Sequence, residues 1–250
     1  MLKASVDPET GAGIGSVTEA SRGKMKLALR LTIRFSIILI VGAATLFVPA
    51  GTLTFWQGWA LLGVYFVPTS FVYLYFLKHD PRVVERRMER KETVGAQKLL
   101  IRWGMPGFVS AFLLPGFDYR WGWSRHLFGG VPTWLSLVSL AMIVAAFLLV
   151  FWVTQVNRFA ARIIRVEEGQ TVISNGPYRW VRHPMYSGSV ILWMFTPLAL
   201  GSYVALPAFG LILPFYVIRL LNEEKVLRQE LPGYQEYCLR THYRLVPFVW

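Results

Sequence analysis

The chain has 250 residues, of which 54% are hydrophobic and only 16% charged, and its net charge is +12. A soluble domain of this size holds about a quarter charged residues, so the composition, with a mean hydropathy of +0.44, reads as an integral membrane protein rather than a soluble enzyme. One cysteine, Cys238, excludes an intrachain disulfide framework, and it gives no zinc-ligand spacing with the four scattered histidines.

In chain order, residues 1–24 are rich in Gly, Ser, Thr and Ala without apolar periodicity, and are expected to form a flexible tail. "GAGIGS" at 11–16 lacks both a preceding strand and a closing Lys-Ser/Thr, so it is not a phosphate loop. Residues 25–156 are expected to hold transmembrane helices. Apolar runs lie at 31–50 and 55–77, each long enough to span. A charged connection at 78–102 follows, then a weaker run at 103–117 interrupted by Pro106 and Pro115. "DYRWGWSRH" has the aromatic composition of a membrane interface. Residues 131–156 form the strongest span. The last apolar stretch, 185–218, is broken at Gly201-Ser202 and is expected to be a hairpin of two short helices with kinks at Pro197, Pro207 and Pro214.

Lys and Arg alternate between rich and poor segments. The chain up to Arg30 holds 5, residues 78–102 hold 8, 157–182 hold 5 and 219–250 hold 5, whereas 118–130 hold 2. If each run crosses once, the rich segments share one side. The positive-inside rule then puts both termini in the cytoplasm. The positive charge is therefore mostly topological, split among helix flanks with no separate basic module, and nucleic acid is not an expected partner.

The C-terminal region, 157–250, carries the chemistry. In "NGPYRWVRHPMYSG" (175–188), Gly176-Pro177 makes a turn, and Pro184 holds His183 out of the α region and opens a helix. The free N–H groups of that helix end, with Arg179 and Arg182, favour an anion. Tyr178, Trp180 and Tyr186 offer faces for a cationic group. Ser187, Gly188 and Ser189 leave room for a close approach to the backbone. A plain basic loop with interfacial aromatics explains the arginines and rings, but not the Gly-Pro, His-Pro and small-residue positions together.

Further on, Arg219, Asn222 and Glu223 share one helix face, and Glu224 lies about 100° round from Glu223. Local pairing of Arg219 with Glu223 and of Glu224 with Arg228 is the ordinary explanation. An ionisable residue at the end of a membrane helix, however, points to function. Pro232-Gly233 closes this helix, and another is expected from about Tyr234.

Gly-Pro-Tyr-Arg, Arg-His-Pro-x-Tyr, Arg-x-x-x-Glu-Glu and Gly-Tyr-x-x-Tyr stand here in that order. Over about 157–250 the chain resembles the isoprenylcysteine carboxyl methyltransferase family, most of all its bacterial and archaeal members. The resemblance implies an all-α, polytopic integral membrane helical protein with a cofactor site at the cytoplasmic face, in a membrane read as the bacterial inner membrane. It implies an S-adenosylmethionine-dependent methyltransferase that needs no metal. Gly176, Pro177, Tyr178, Arg182, His183, Tyr186 and Glu224 would bind the cofactor, and Arg219 and Glu223 would act in catalysis. Arg219 would orient the carboxylate of a lipophilic or small acceptor. A thiol acceptor would need a base, for which Glu223 and His183 are the candidates. The reaction class carries over better than the substrate, since a bacterial-type chain has no evident prenylated protein to modify. Two rivals remain: a sterol-reductase-like NADPH-dependent oxidoreductase, and a non-enzymatic membrane scaffold with a basic face.

Overall fold

The computed structural model of the chain describes residues 9–88, 109–157 and 169–250. Its main elements are helices: α1 (Glu9–Ala50), α2 (Trp56–His79), α3 (Pro81–Met88), α4 (described over 109–121), α5 (Trp123–Phe128), α6 (Thr133–Val156), α7 (Pro184–Ala199), α8 (Leu206–Gly210), α9 (Ile212–Glu230) and α10 (Tyr234–Arg240). A 3-10 turn covers Gly176–Arg179, and no strand occurs among the described residues. The protein is all-α and polytopic.

Among the described residues, four segments are apolar and long enough to cross a bilayer: Leu27–Ala50, Trp56–His79, Thr133–Val156 and Leu206–Glu230. At about 1.5 Å per residue, such helices exceed a hydrocarbon core of about 30 Å. Their outer faces leave Ile37, Ile38, Ile40, Val67, Phe71, Leu74 and Leu148 exposed. An apolar exterior around helices that satisfy their own backbone groups is what a bilayer demands.

Small residues bring the helices together. A Cβ on Gly116 of α4 would lie 2.5 Å from the carbonyl oxygen of Leu46 in α1, and one on Gly188 of α7 would lie 2.9 Å from Val150 of α6. These contacts let the backbones approach closely, which is how membrane helices gain packing energy without a hydrophobic drive between them. The core joins α1, α2, α6 and the end of α7 through Leu46, Phe47, Leu61, Leu140, Ile143 and Leu200. At the other end, α3 turns Val83 and Val84 against Leu27, Leu31 and Phe76.

The two ends of the bundle are distinct. The α1–α2 turn, the end of α4 and the α7–α8 turn share one end, where Gly51 faces Arg120 and Gly201 faces Gln57. The end of α6, the 3-10 turn and the start of α7 share the other, where Gly176 abuts Val156.

One sequence expectation changes. Helical backbone begins at Glu9, inside the stretch expected to be a flexible tail. Once a long span has nucleated, each further residue adds a hydrogen bond at little cost. The weak run expected over 103–117 lies outside the described residues up to 108, and from 109 the helix passes Pro115 and ends at 121. The second arm of the hairpin begins as α8, bends at Leu211 and runs as α9 through the polar residues to Glu230, so the helix ends just before Pro232-Gly233 as expected. Pro207 sits in the first turn of α8, where its missing N–H costs nothing.

Candidate cofactor and acceptor site

The site is assembled by a clamp between the two ends of the C-terminal region. Gly176 has φ +55°, and a Cβ there would meet Val156 at 3.0 Å, so the turn demands glycine. Pro177 is buried. The carbonyl oxygen of Tyr178 accepts a hydrogen bond from the Tyr237 hydroxyl at 2.7 Å, and the Tyr178 hydroxyl accepts one from Asn157 Nδ2 at 2.9 Å. Tyr234 and Tyr237, the two tyrosines of Gly-Tyr-x-x-Tyr, form a buried cluster with Leu231, against which Val172, Tyr178 and Leu227 pack. Burial pushes both phenols well above their usual pKa, so they stay protonated and can donate.

The Arg-His-Pro segment then pairs with the tail. The Arg182 N–H donates to the Tyr243 carbonyl at 2.9 Å and the His183 N–H to the Arg244 carbonyl at 3.0 Å. Arg182 Nη2 donates to the His242 carbonyl at 3.1 Å, and Ser187 Oγ to that of Leu245 at 2.5 Å. This pairing turns the Arg244 side chain inward.

Glu224 is the hub. Its Oε1 lies 3.1 Å from Arg182 Nη1 and 3.4 Å from His183 Nε2. Its Oε2 lies 3.2 Å from Arg244 Nε and 4.0 Å from Arg228 Nη2. Arg182, His183 and Glu224 are all buried. Even so, Arg182 Nε, His183 Nε2, Glu224 Oε1 and the Tyr234 hydroxyl have no hydrogen-bond partner of good geometry. Glu224 Oε1 and His183 Nε2 still have each other within ion-pair distance, so the cost of about 1–3 kcal/mol for a buried atom with no partner falls on Arg182 Nε and the Tyr234 hydroxyl. Such groups converging on one place suit a polar ligand.

Beside this hub is a second cluster. The Tyr186 hydroxyl donates to Glu223 Oε2 at 2.7 Å, and Arg219 faces the same phenol. The Tyr186 ring lies 5.7 Å from His183 and 5.8 Å, edge-on, from Tyr216. Trp193 Nε1 donates to the Tyr216 hydroxyl at 2.7 Å. A wall of aromatic rings thus runs from the charged end of α7 and α9 into the bundle.

The structure brings Arg182, His183 and Glu224 together, and Tyr186, Arg219 and Glu223 next to them. Gly176, Pro177 and Tyr178 shape the turn that precedes the hub. Of the small residues that follow, Gly188 lies against α6. Arg244 and Tyr216 were not singled out from sequence, and Tyr234 was named only as part of Gly-Tyr-x-x-Tyr, without a role in the site. "THYRLVP" has no periodicity that would relate Arg244 to a glutamate twenty residues earlier; only the backbone pairing does so.

Helical spans with a buried charged hub at one end define a polytopic membrane protein with a polar site at the membrane boundary. Residues 134–232 match the family model described as phospholipid methyltransferase. Two proteins described as probable protein-S-isoprenylcysteine O-methyltransferase, from Oryza sativa subsp. indica and subsp. japonica, are each 33% identical over 120 residues, 46% of this chain. The chain spans 62% of the length of those relatives. A Delta(14)-sterol reductase from Mus musculus is 32% identical over 88 residues, 33% of this chain and 20% of that protein. The resemblance to the isoprenylcysteine carboxyl methyltransferase family therefore holds over the C-terminal region, and the likeness to the reductase is shorter.

Proposed function

We propose that the chain is an S-adenosylmethionine-dependent methyltransferase that transfers the methyl group to the carboxylate, or to a thiol, of a lipophilic or small acceptor reaching the site from the bilayer. The observation that carries this reading is the buried Glu224 hub with its unsatisfied polar atoms, set against Arg219, Tyr186 and Glu223. The family match and the rice relatives support the reaction class.

The residues fit the cofactor's chemistry. Arg182 Nε and a His183 Nε2–H would donate to its carboxylate. Glu224 Oε1 would accept from its ammonium or ribose hydroxyls. The rings of Tyr186 and Tyr216 offer π faces to a sulfonium cation. When bound, the cofactor supplies an electrophilic methyl group, and the protein's part is alignment and exclusion of water. Arg219 would hold an acceptor carboxylate by its two-pronged guanidinium. Glu223, fixed by the Tyr186 hydroxyl, would set the arginine's position and would accept a proton only if the acceptor were a thiol.

Both termini are assigned to the cytoplasm, with 118–130 on the far side, in what we read as a bacterial inner membrane. Ser124 is buried, so exposed Leu127 is the position to test. In a Cys238→Ser background, L127C should react with a membrane-impermeant maleimide from the outside only; labelling from the cytoplasm only would reverse the assignment. Function is tested by calorimetry of purified protein with S-adenosylmethionine and with NADPH. Binding of the first is expected. Binding of NADPH alone would favour the reductase-like reading.

A further inference from the structure

A second site lies behind the clamp. A cavity of about 430 Å³ is lined by Arg179, Trp180, Arg240, Thr241, His242, Tyr243, Pro247 and Phe248. That volume is in the range of small-ligand pockets. None of the lining residues belongs to the Glu224 hub. The paired segments 182–183 and 243–244 form the partition: Arg182 and Arg244 turn to Glu224 on one side, while His242 and Tyr243 face the cavity on the other.

Among the described residues the lining carries no carboxylate. Arg179 and Arg240 are exposed and make no ion pair among the described residues. Two unneutralised guanidinium groups with an imidazole and a threonine hydroxyl call for an anion rich in oxygen acceptors. The cavity is also tied to the membrane boundary. The Trp180 ring packs edge-on against Trp152, in the last turn of the spanning helix α6, with centroids 5.9 Å apart. In the lining, Trp180 and Phe248 are exposed, Phe248 at 87%, and so are Leu239, Val246 and Val249, which adjoin lining residues in the chain. Phe248 has φ +65°, a strained conformation for an aromatic residue, and it projects this large apolar side chain outward. Tryptophan at a span end, apolar side chains beyond it and unpaired arginines between them are the parts of an interfacial lipid site.

We propose that this cavity binds the phosphate headgroup of an anionic phospholipid of the same leaflet. Arg179 and Arg240 hold the phosphate, and Trp180 and Phe248 lie along its first acyl carbons. The bound lipid fixes the 240–248 segment, whose other face completes the Glu224 hub. The site does not depend on the assignment of methyltransfer.

Native mass spectrometry of the full chain, released from detergent and titrated with phosphatidylglycerol or phosphatidylcholine, tests it. Wild type should retain one phosphatidylglycerol, preferred over phosphatidylcholine by about thirtyfold, about fivefold for each arginine near an anionic group. The R179Q/R240Q variant changes only exposed side chains and should lose the preference, and so should W180S/F248S lose retention. D118N, which disturbs a network at the opposite end of the bundle, should keep both. Retention by R179Q/R240Q equal to wild type would overturn the proposal. Displacement of the lipid by inorganic phosphate alone would make the cavity a simple anion site, and displacement by S-adenosylmethionine would make it part of the cofactor's; either result also overturns it.

Discussion

Two buried carboxylates sit at opposite ends of this bundle, and their surroundings differ in kind. Asp118, at the end of α4, accepts hydrogen bonds from the Ser124 N–H at 2.7 Å, from Ser202 Oγ at 2.5 Å and from the Ser124 hydroxyl. The Ser124 oxygen in turn accepts from the N–H groups of Tyr203 and Val204 at 2.9 and 3.2 Å. Its partners are neutral, short-ranged and complete, and they tie the α4–α5 junction to the α7–α8 turn. Glu224 is held by cations from three segments of the chain, and polar atoms around it remain unsatisfied. A satisfied network rigidifies a fold, whereas an over-charged and under-bonded one is suited to a ligand. Burial of a carboxylate does not by itself mark a site; incomplete satisfaction does.

The comparison breaks most visibly at Glu224. Glu224→Ala leaves Arg182 buried without its counter-charge and His183 without its partner, which should cost about 3–5 kcal/mol of stability. It should also abolish cofactor binding; thermal melts and calorimetry on the same preparation would read both. Next comes Arg219. Arg219→Ala should lower turnover about 100-fold or more while the cofactor Kd changes less than about threefold, since the lost contact acts on the acceptor. Arg219→Lys should not restore it. Wild-type methylation by Arg219→Ala would return the residue to an ordinary helix-end cation.

Asp118 should behave in the opposite way. Asp118→Ala leaves the Ser124 and Ser202 donors unpaired and should cost about 1–3 kcal/mol, lowering Tm with ligand affinity unchanged. A loss of binding there would show that the two ends are coupled. The smallest effect is expected for Tyr237→Phe, which removes the hydroxyl that donates to the Tyr178 carbonyl while Thr241 Oγ1 still reaches it, and should cost about 1 kcal/mol.

Much of the helical frame was legible because apolar run length decides it: Trp56–His79 and Thr133–Val156 are visible as uninterrupted runs. So was the start of α7, since His-Pro dictates both the residue before the helix and its first turn. The end of α9 was legible too: its apolar run stops near Ile218, but the helical spacing of Arg219, Asn222 and Glu223 and the Pro232-Gly233 stop carry the helix through the charged residues to Glu230. Of the site, the motif residues that meet at Glu224 could be named, but not their geometry. Arg244 and the Asp118 network depend on contacts between segments twenty to more than eighty residues apart, and no local periodicity encodes those. The tail's pairing with Arg182 and His183 creates the first; the close seat of Gly116 on α1 helps position the second.

The most direct test of the account is calorimetric titration of S-adenosylmethionine into wild type, Glu224→Gln and Asp118→Asn, all in one detergent. The account predicts binding by wild type and by Asp118→Asn with similar affinity, and none by Glu224→Gln. Equal binding by all three, or none by a folded wild type, would contradict it.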